Sequence, residues 1–226
     1  IIQMTPDPNI VFDLDGTLVD SAPSLCKAGN YLLSRLGRQL IDVETYKTFI
    51  GKGLLKQVEQ LLVYSGGIPD DDLQGQFRLF RDYYNLNPLV ATTSYDGVDE
   101  CLRALKNIPA KLAICTQKLE KPARFVLSGL NLEHYFDGFA FGDSLPVMKP
   151  HPDMVNCSTK GFQKGPLIYI GDSETDSLTA KNSGAVFLLF AGGYRNLPTN
   201  KIDNYAVFYH HSEISALVRR ITDNRF

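Results

Sequence analysis

Three runs in the second half of the chain are apolar at nearly every position: residues 111–115 (Lys-Leu-Ala-Ile-Cys), 167–170 and 186–190. A strand without polar alternation has no face to give to water, so it must be covered on both sides. Segments with helical spacing separate these runs, at 97–106, 122–128, 152–160 and 173–182, with a last one at 214–221. Residues 139–141 read as a weak strand and 206–209 as an edge strand. Buried strands alternating with helices give an α/β fold, a parallel sheet with helices on both faces. Such sheets place ligands beyond the carboxyl ends of their strands.

A fourth apolar run, residues 10–12, leads into Asp13-Leu14-Asp15-Gly16-Thr17. The Asp-Gly turn ends the strand there. Asp13 and Asp15 stand two residues apart and can share one side of an extended segment. Paired carboxylates raise each other's pKa, and a cation between them relieves that cost. Magnesium, which takes oxygen ligands from one or two carboxylates, suits such a place. On its own the segment equally fits a turn with two solvated carboxylates.

Residues 20–88 read as helical. Leu25, Ala28, Leu32 and Leu36 form one apolar stripe, stopped by Gly37. Asp42 can cap a short helix through Phe49. Leu54, Leu55, Val58, Leu61 and Leu62 form a second stripe, and Leu73, Phe77, Phe80 and Tyr84 a third that ends near Pro88. Asp70-Asp71-Asp72 would suit the positive end of that last helix. The expected organisation is a core of residues 1–19 and 89–226 with a helical bundle, 20–88, inserted into it.

Composition excludes some functions. A net charge of -2 over 226 residues offers no basic surface for a nucleic-acid backbone or an anionic membrane. An anionic substrate would need local positive charge. No apolar stretch reaches the length of a membrane span. The four cysteines form no C-x-x-C pair, and no signal peptide is apparent, so a cytoplasmic protein is expected. His134 and the pair His210-His211 lack metal-ligand spacing and read as surface residues. No feature specifies an oligomeric state.

Three further clusters lie at or near strand ends. Thr116-Gln117 follows the 111–115 strand, where a hydroxyl and a backbone N–H can meet an anion, or simply cap a turn. Lys149 precedes Pro150, which favours an extended lysine just before a helix. Gly171-Asp172-Ser173-Glu174-Thr175-Asp176 follows the 167–170 strand; Ser173 and Asp176 fit a capping box, but that pattern requires neither Asp172 nor the glycine.

Taken in order, these four parts resemble the haloacid dehalogenase superfamily of phosphohydrolases: D-x-D-G-T, a Ser or Thr after the second strand, a distant Lys, and G-D-x-x-x-D. The resemblance implies a Rossmann-like core with an inserted helical cap. It implies Asp13 as nucleophile and Asp15 as general acid and base. Mg²⁺ would be held by Asp13, the Asp15 backbone carbonyl and Asp172, supported by Asp176. Thr116 and Lys149 would hold the phosphoryl group. Asp15 argues against dehalogenation, and Thr17 resembles phosphatases more than sugar phosphomutases. Within the superfamily the pattern most resembles the phosphoglycolate phosphatases, including Gly51-Lys52-Gly53, where Lys52 would contact the substrate. Gln117 stands where many relatives carry Asn and is a further candidate contact. The implied activity is Mg²⁺-dependent hydrolysis of a small phosphorylated metabolite, best 2-phosphoglycolate, through a phosphoaspartate. Alternatives on the same core are a phosphomutase, a phosphonatase using a cap lysine (Lys27, Lys47, Lys52 or Lys56), and a non-enzymatic binding protein.

Overall fold

A computed structural model describes residues 7–51 and 53–223. In chain order the elements are β1 (Asn9–Phe12), β2 (Val19–Asp20), α1 (Ala22–Arg35), α2 (Val43–Lys47), α3 (Leu54–Tyr64) and α4 (Leu73–Leu86). There follow β3 (Thr93–Ser94), α5 (Val98–Lys106), β4 (Lys111–Cys115), α6 (Glu120–Gly129), β5 (Gly138–Ala140) and α7 (Asp153–Ser158). The chain continues with β6 (Leu167–Gly171), α8 (Glu174–Asn182), β7 (Val186–Phe190), β8 (Ala206–Phe208) and α9 (Ile214–Asp223).

Six strands form one parallel sheet in the order β5-β4-β1-β6-β7-β8. The order reverses at β1, whose Val11 lies between Ala113 of β4 and Tyr169 of β6. This is a Rossmann-like arrangement with its switch point at β1, where strand ends diverge and leave a crevice. Both faces are covered, as the apolar runs required. Ile10, Phe12, Ile114 and Ile170 pack under α5, α6 and α9, while Val11, Ala113, Tyr169 and Leu189 pack under α7 and α8.

Helices α1–α4 bury a core of their own around Leu32, Tyr46, Leu61, Phe80 and Tyr84. Asp42 caps α2 by accepting from the Thr45 N–H at 2.7 Å, but the helix stops at Lys47, two residues short of Phe49. Asp72 alone of the three aspartates caps α4, accepting from the Gly75 N–H; Asp70 and Asp71 lie in the preceding turn with positive φ. Leu54 packs against the helical core as its stripe required and also lines a cavity, whereas Leu55, 38 % exposed, lines the cavity without joining the core. β2 and β3 pair antiparallel and mark where the chain leaves for the helices and returns. The sequence carried no sign of this two-residue ribbon.

Other boundaries move by a residue or two for visible reasons. Ser173 is the cap of α8, so that helix begins at Glu174. α7 occupies only the middle of its expected span. His211 is not a surface residue. It is 1 % exposed, its ring hydrogen-bonds the Thr17 carbonyl at 2.8 Å, and it packs against Tyr95. His134 and His210 are exposed. All four cysteines are free. No helix among the described residues is long and apolar enough to cross a membrane.

Candidate active site

The carboxyl ends of β4, β1 and β6 lie side by side, and each delivers a polar group to one place. β1 runs straight into Asp13, whose N–H still donates to the Ile170 carbonyl of β6. The chain then turns sharply: the Gly16 N–H donates to Val19 and the Leu18 N–H to Leu14. Gly16 has a φ of +84°, and a Cβ there would lie 2.5 Å from an Asp172 oxygen. Only glycine admits both that backbone and that neighbour.

Lys149 is the electrostatic centre. Its Nζ lies 3.0 Å from Asp13 and 2.7 Å from Asp176, and the side chain is 3 % exposed. Asp176 also accepts from the Asp172 and Ser173 N–H groups, the Ser173 hydroxyl and the Tyr169 hydroxyl. The capping box is therefore real, and it serves the site as well as the helix. The glycine before Asp172 has a packing reason, since a Cβ on Gly171 would lie 2.4 Å from that of Asp176. Asp172 accepts from the Thr17 hydroxyl at 2.9 Å and from the Tyr194 N–H at 2.6 Å.

One carboxylate oxygen from each of Asp13, Asp172 and Asp176 lies within 4.8 Å of the others. Burial, with Asp176 and Asp15 nearby and against the pull of Lys149, raises the Asp13 pKa to about 7. Burial beside Asp176 and Asp13 also pushes Asp172 well above the ordinary carboxylate value. Lys149 pairs with two of the three buried carboxylates, Asp13 and Asp176, so the cluster is short of positive charge. An all-oxygen donor set with that deficit fits a hard divalent cation.

Thr116 is buried just past β4; its hydroxyl accepts from the Lys118 N–H, so it caps a turn while facing the cavity. Gln117 donates to the Lys149 carbonyl at 3.1 Å. Both line a cavity of about 650 Å³ that also touches Asp13, Asp15, Lys149 and Asp172. Phe49, Ile50 and Leu54 from the helical part form its opposite wall. Lys52 lies outside the described residues, although Gly51 and Gly53 on either side of it line the cavity. Lys27, Lys47 and Lys56 are not among its lining residues.

Two participants were not anticipated. Lys118 reaches Asp15 and Tyr84, and Tyr194 donates its hydroxyl to Asp20 at 2.6 Å while accepting from the Ala22 N–H. Burial works against the Lys118 charge, but Asp15 and then Tyr84 hold its pKa above the usual lysine value. Only its position two residues after Thr116 could have marked Lys118.

The model of the haloacid dehalogenase-like hydrolases matches residues 10–190, from β1 to the end of β7. The chain belongs to that family. It is 34% identical to the phosphoglycolate phosphatase of Cereibacter sphaeroides, over 95% of this chain and 99% of that one. It is 36% identical to the phosphoglycolate phosphatase of Nitrosospira multiformis, over 84% and 85%. Among solved structures, a predicted phosphoglycolate phosphatase from Haemophilus somnus superposes with a TM-score of 0.87 at 28% identity, covering 95% of this chain and 99% of that one. A haloacid dehalogenase-like hydrolase from Streptococcus pneumoniae gives 0.80 at 25% identity, covering 94% and 98%.

Proposed function

We propose that this phosphoric monoester hydrolase is a Mg²⁺-dependent phosphatase that works through an aspartyl phosphate on Asp13. The observation that supports the reading is the convergence of Asp13, Asp15, Thr116 and Lys149 on the cavity, where a cluster of three carboxylates has the one ammonium of Lys149 against it. Asp13, Asp172 and the Asp15 backbone carbonyl would hold the metal, with Asp176 orienting them. Bound there, Mg²⁺ offsets the charge that otherwise keeps a carboxylate away from a phosphate dianion.

The chain's own residues then do the following. Thr116 and Lys149 hold the phosphoryl oxygens. An Asp13 oxygen attacks phosphorus as the ester P–O bond breaks, and Asp15 gives its proton to the leaving oxygen. Asp15, now ionised, takes a proton from a water molecule. The resulting hydroxide attacks phosphorus, releasing inorganic phosphate and the Asp13 carboxylate.

Residues 20–88 act as a cap over the core, 1–19 and 89–226. Thr175 meets the Gly51 carbonyl at 3.4 Å, and Lys118 meets Tyr84, so the helices touch the core on both sides of the cavity. Closure excludes water while phosphorus is transferred. Gln117, which lines the cavity, contacts the substrate. That substrate is a small phosphorylated metabolite, with 2-phosphoglycolate foremost because it names the relatives at 34–36% identity. Four free thiols suit the cytoplasm.

The test is phosphate release from a panel of phosphomonoesters, with and without Mg²⁺, by wild type and Asp13→Asn. Metal-dependent release abolished in Asp13→Asn is expected. Release by both proteins alike would refute the assignment.

A further inference from the structure

Lys118 stands between two bodies. Its Nζ lies 3.0 and 3.3 Å from the two oxygens of Asp15 and donates to the Tyr84 hydroxyl. The same nitrogen lies 4.7 Å from the centre of the Tyr84 ring. Its side chain is 5 % exposed, so little water is left to compete for either partner. Tyr84 is on α4 and belongs to the core of the helical part, whereas Asp15 is on the turn after β1. Among the described residues, Lys118 is the one donor to the Asp15 carboxylate.

A carboxylate on a turn has a free torsion about its Cα–Cβ bond. Grasping both oxygens with one ammonium removes that freedom. The ammonium in turn keeps its full set of partners only while Tyr84 is beside it. An acid displaced by about 1 Å from the reacting oxygen can lose about 100-fold in rate.

We infer that Lys118 is a positioning residue that aims the Asp15 carboxyl at the leaving-group oxygen and, through Tyr84, makes that aim depend on the helical part being closed. The inference rests on the proposed role of Asp15 as proton donor. It concerns orientation: Lys118 acts through Asp15, at the edge of the cavity that both residues line.

The test uses the leaving group. A 4-nitrophenolate departs without a proton, whereas an alkoxide needs one. Values of kcat/KM, which report the steps up to leaving-group departure, are measured for 4-nitrophenyl phosphate and for the best alkyl phosphomonoester of the panel. Lys118→Met, Lys118→Arg, Tyr84→Phe and Asp15→Asn are compared with wild type in the presence of Mg²⁺. Lys118→Met is expected to lose at least about ten-fold more on the alkyl ester than on the aryl ester. Lys118→Arg should recover part of that difference, and Tyr84→Phe should show it to a smaller degree. Tyr84→Phe keeps the ring and its packing, so it carries the test if Lys118→Met does not fold. Equal losses on both esters in Lys118→Met, beside a selective loss in Asp15→Asn, overturn the inference alone. Equal losses in Asp15→Asn overturn the acid assignment as well. A selective loss in Lys118→Met with none in Tyr84→Phe overturns the coupling to the helical part.

Discussion

Replacing Lys149 with methionine keeps most of the side chain's bulk and removes its charge. The structure sets the size of the effect. Unit charges 3.0 and 2.7 Å apart, as Lys149 is from Asp13 and Asp176, attract by roughly 5–6 kcal/mol per pair at an effective dielectric constant of about 20. Against this stands the desolvation of one ammonium, several kcal/mol. Removing one partner of a buried pair typically costs about 3–5 kcal/mol, because the other charge is left uncompensated. Here two carboxylates lose the same partner, so the upper part of that range is expected in metal-free protein near pH 8. As pH falls, a buried carboxylate without its lysine takes up a proton, and the deficit shrinks. Urea unfolding in EDTA at pH 8 and pH 5.5 measures both. If the cluster holds Mg²⁺ as proposed, Mg²⁺ added in place of EDTA stabilises the folded state and should restore part of the loss. A deficit under about 1 kcal/mol at pH 8, unchanged by pH and by Mg²⁺, would refute the view that Lys149 balances this cluster.

Two further predictions concern residues near the site. Burial, against the hydrogen bond to Thr17, lowers the His211 pKa below 6.5. The unfolded chain therefore takes up the proton first, so the stability associated with a neutral His211 is present above pH 6.5 and lost as pH falls below it; denaturation of wild type and His211→Asn between pH 7.5 and 5 should show a shallower decline in the variant. Asp13, with its pKa raised to about 7, acts in the opposite direction over the same range, which is why the two proteins must be compared at each pH. Gly171→Ala places a methyl against Asp176 and should cost on the order of 1–3 kcal/mol by urea unfolding; a loss within about 0.5 kcal/mol would show that Asp176 moves aside freely.

Much of the sheet was legible because a doubly covered parallel strand leaves an uninterrupted apolar run. Residues 111–115 and 186–190 match β4 and β7 to the residue. The motif positions were legible for a related reason, since polar residues immediately after such runs have to lie at the strand ends. What escaped lies outside any local pattern. Lys118 and Asp15 are 103 residues apart, and Tyr194 and Asp20 are 174 apart. Apart from the place of Lys118 two residues after Thr116, nothing near either one in sequence distinguishes it from a solvated side chain. The β2–β3 ribbon is two residues long, too short for any periodicity to register. His210 and His211 are adjacent in sequence but have opposite exposures, because only His211 turns inward to the Thr17 carbonyl. Leu55 kept the spacing of a core stripe while facing the cavity, and Leu54 serves both the core and the cavity wall.

The most direct measurement is to trap the phosphorylated enzyme. Wild type with Mg²⁺ and its best substrate is quenched during turnover and reduced with borohydride, which converts an aspartyl phosphate to homoserine. Peptide mass spectrometry then locates the modified residue. The account predicts homoserine at position 13, dependent on substrate and Mg²⁺, and none in Asp13→Asn. Full turnover without modification at position 13, or modification at another carboxylate, would contradict it.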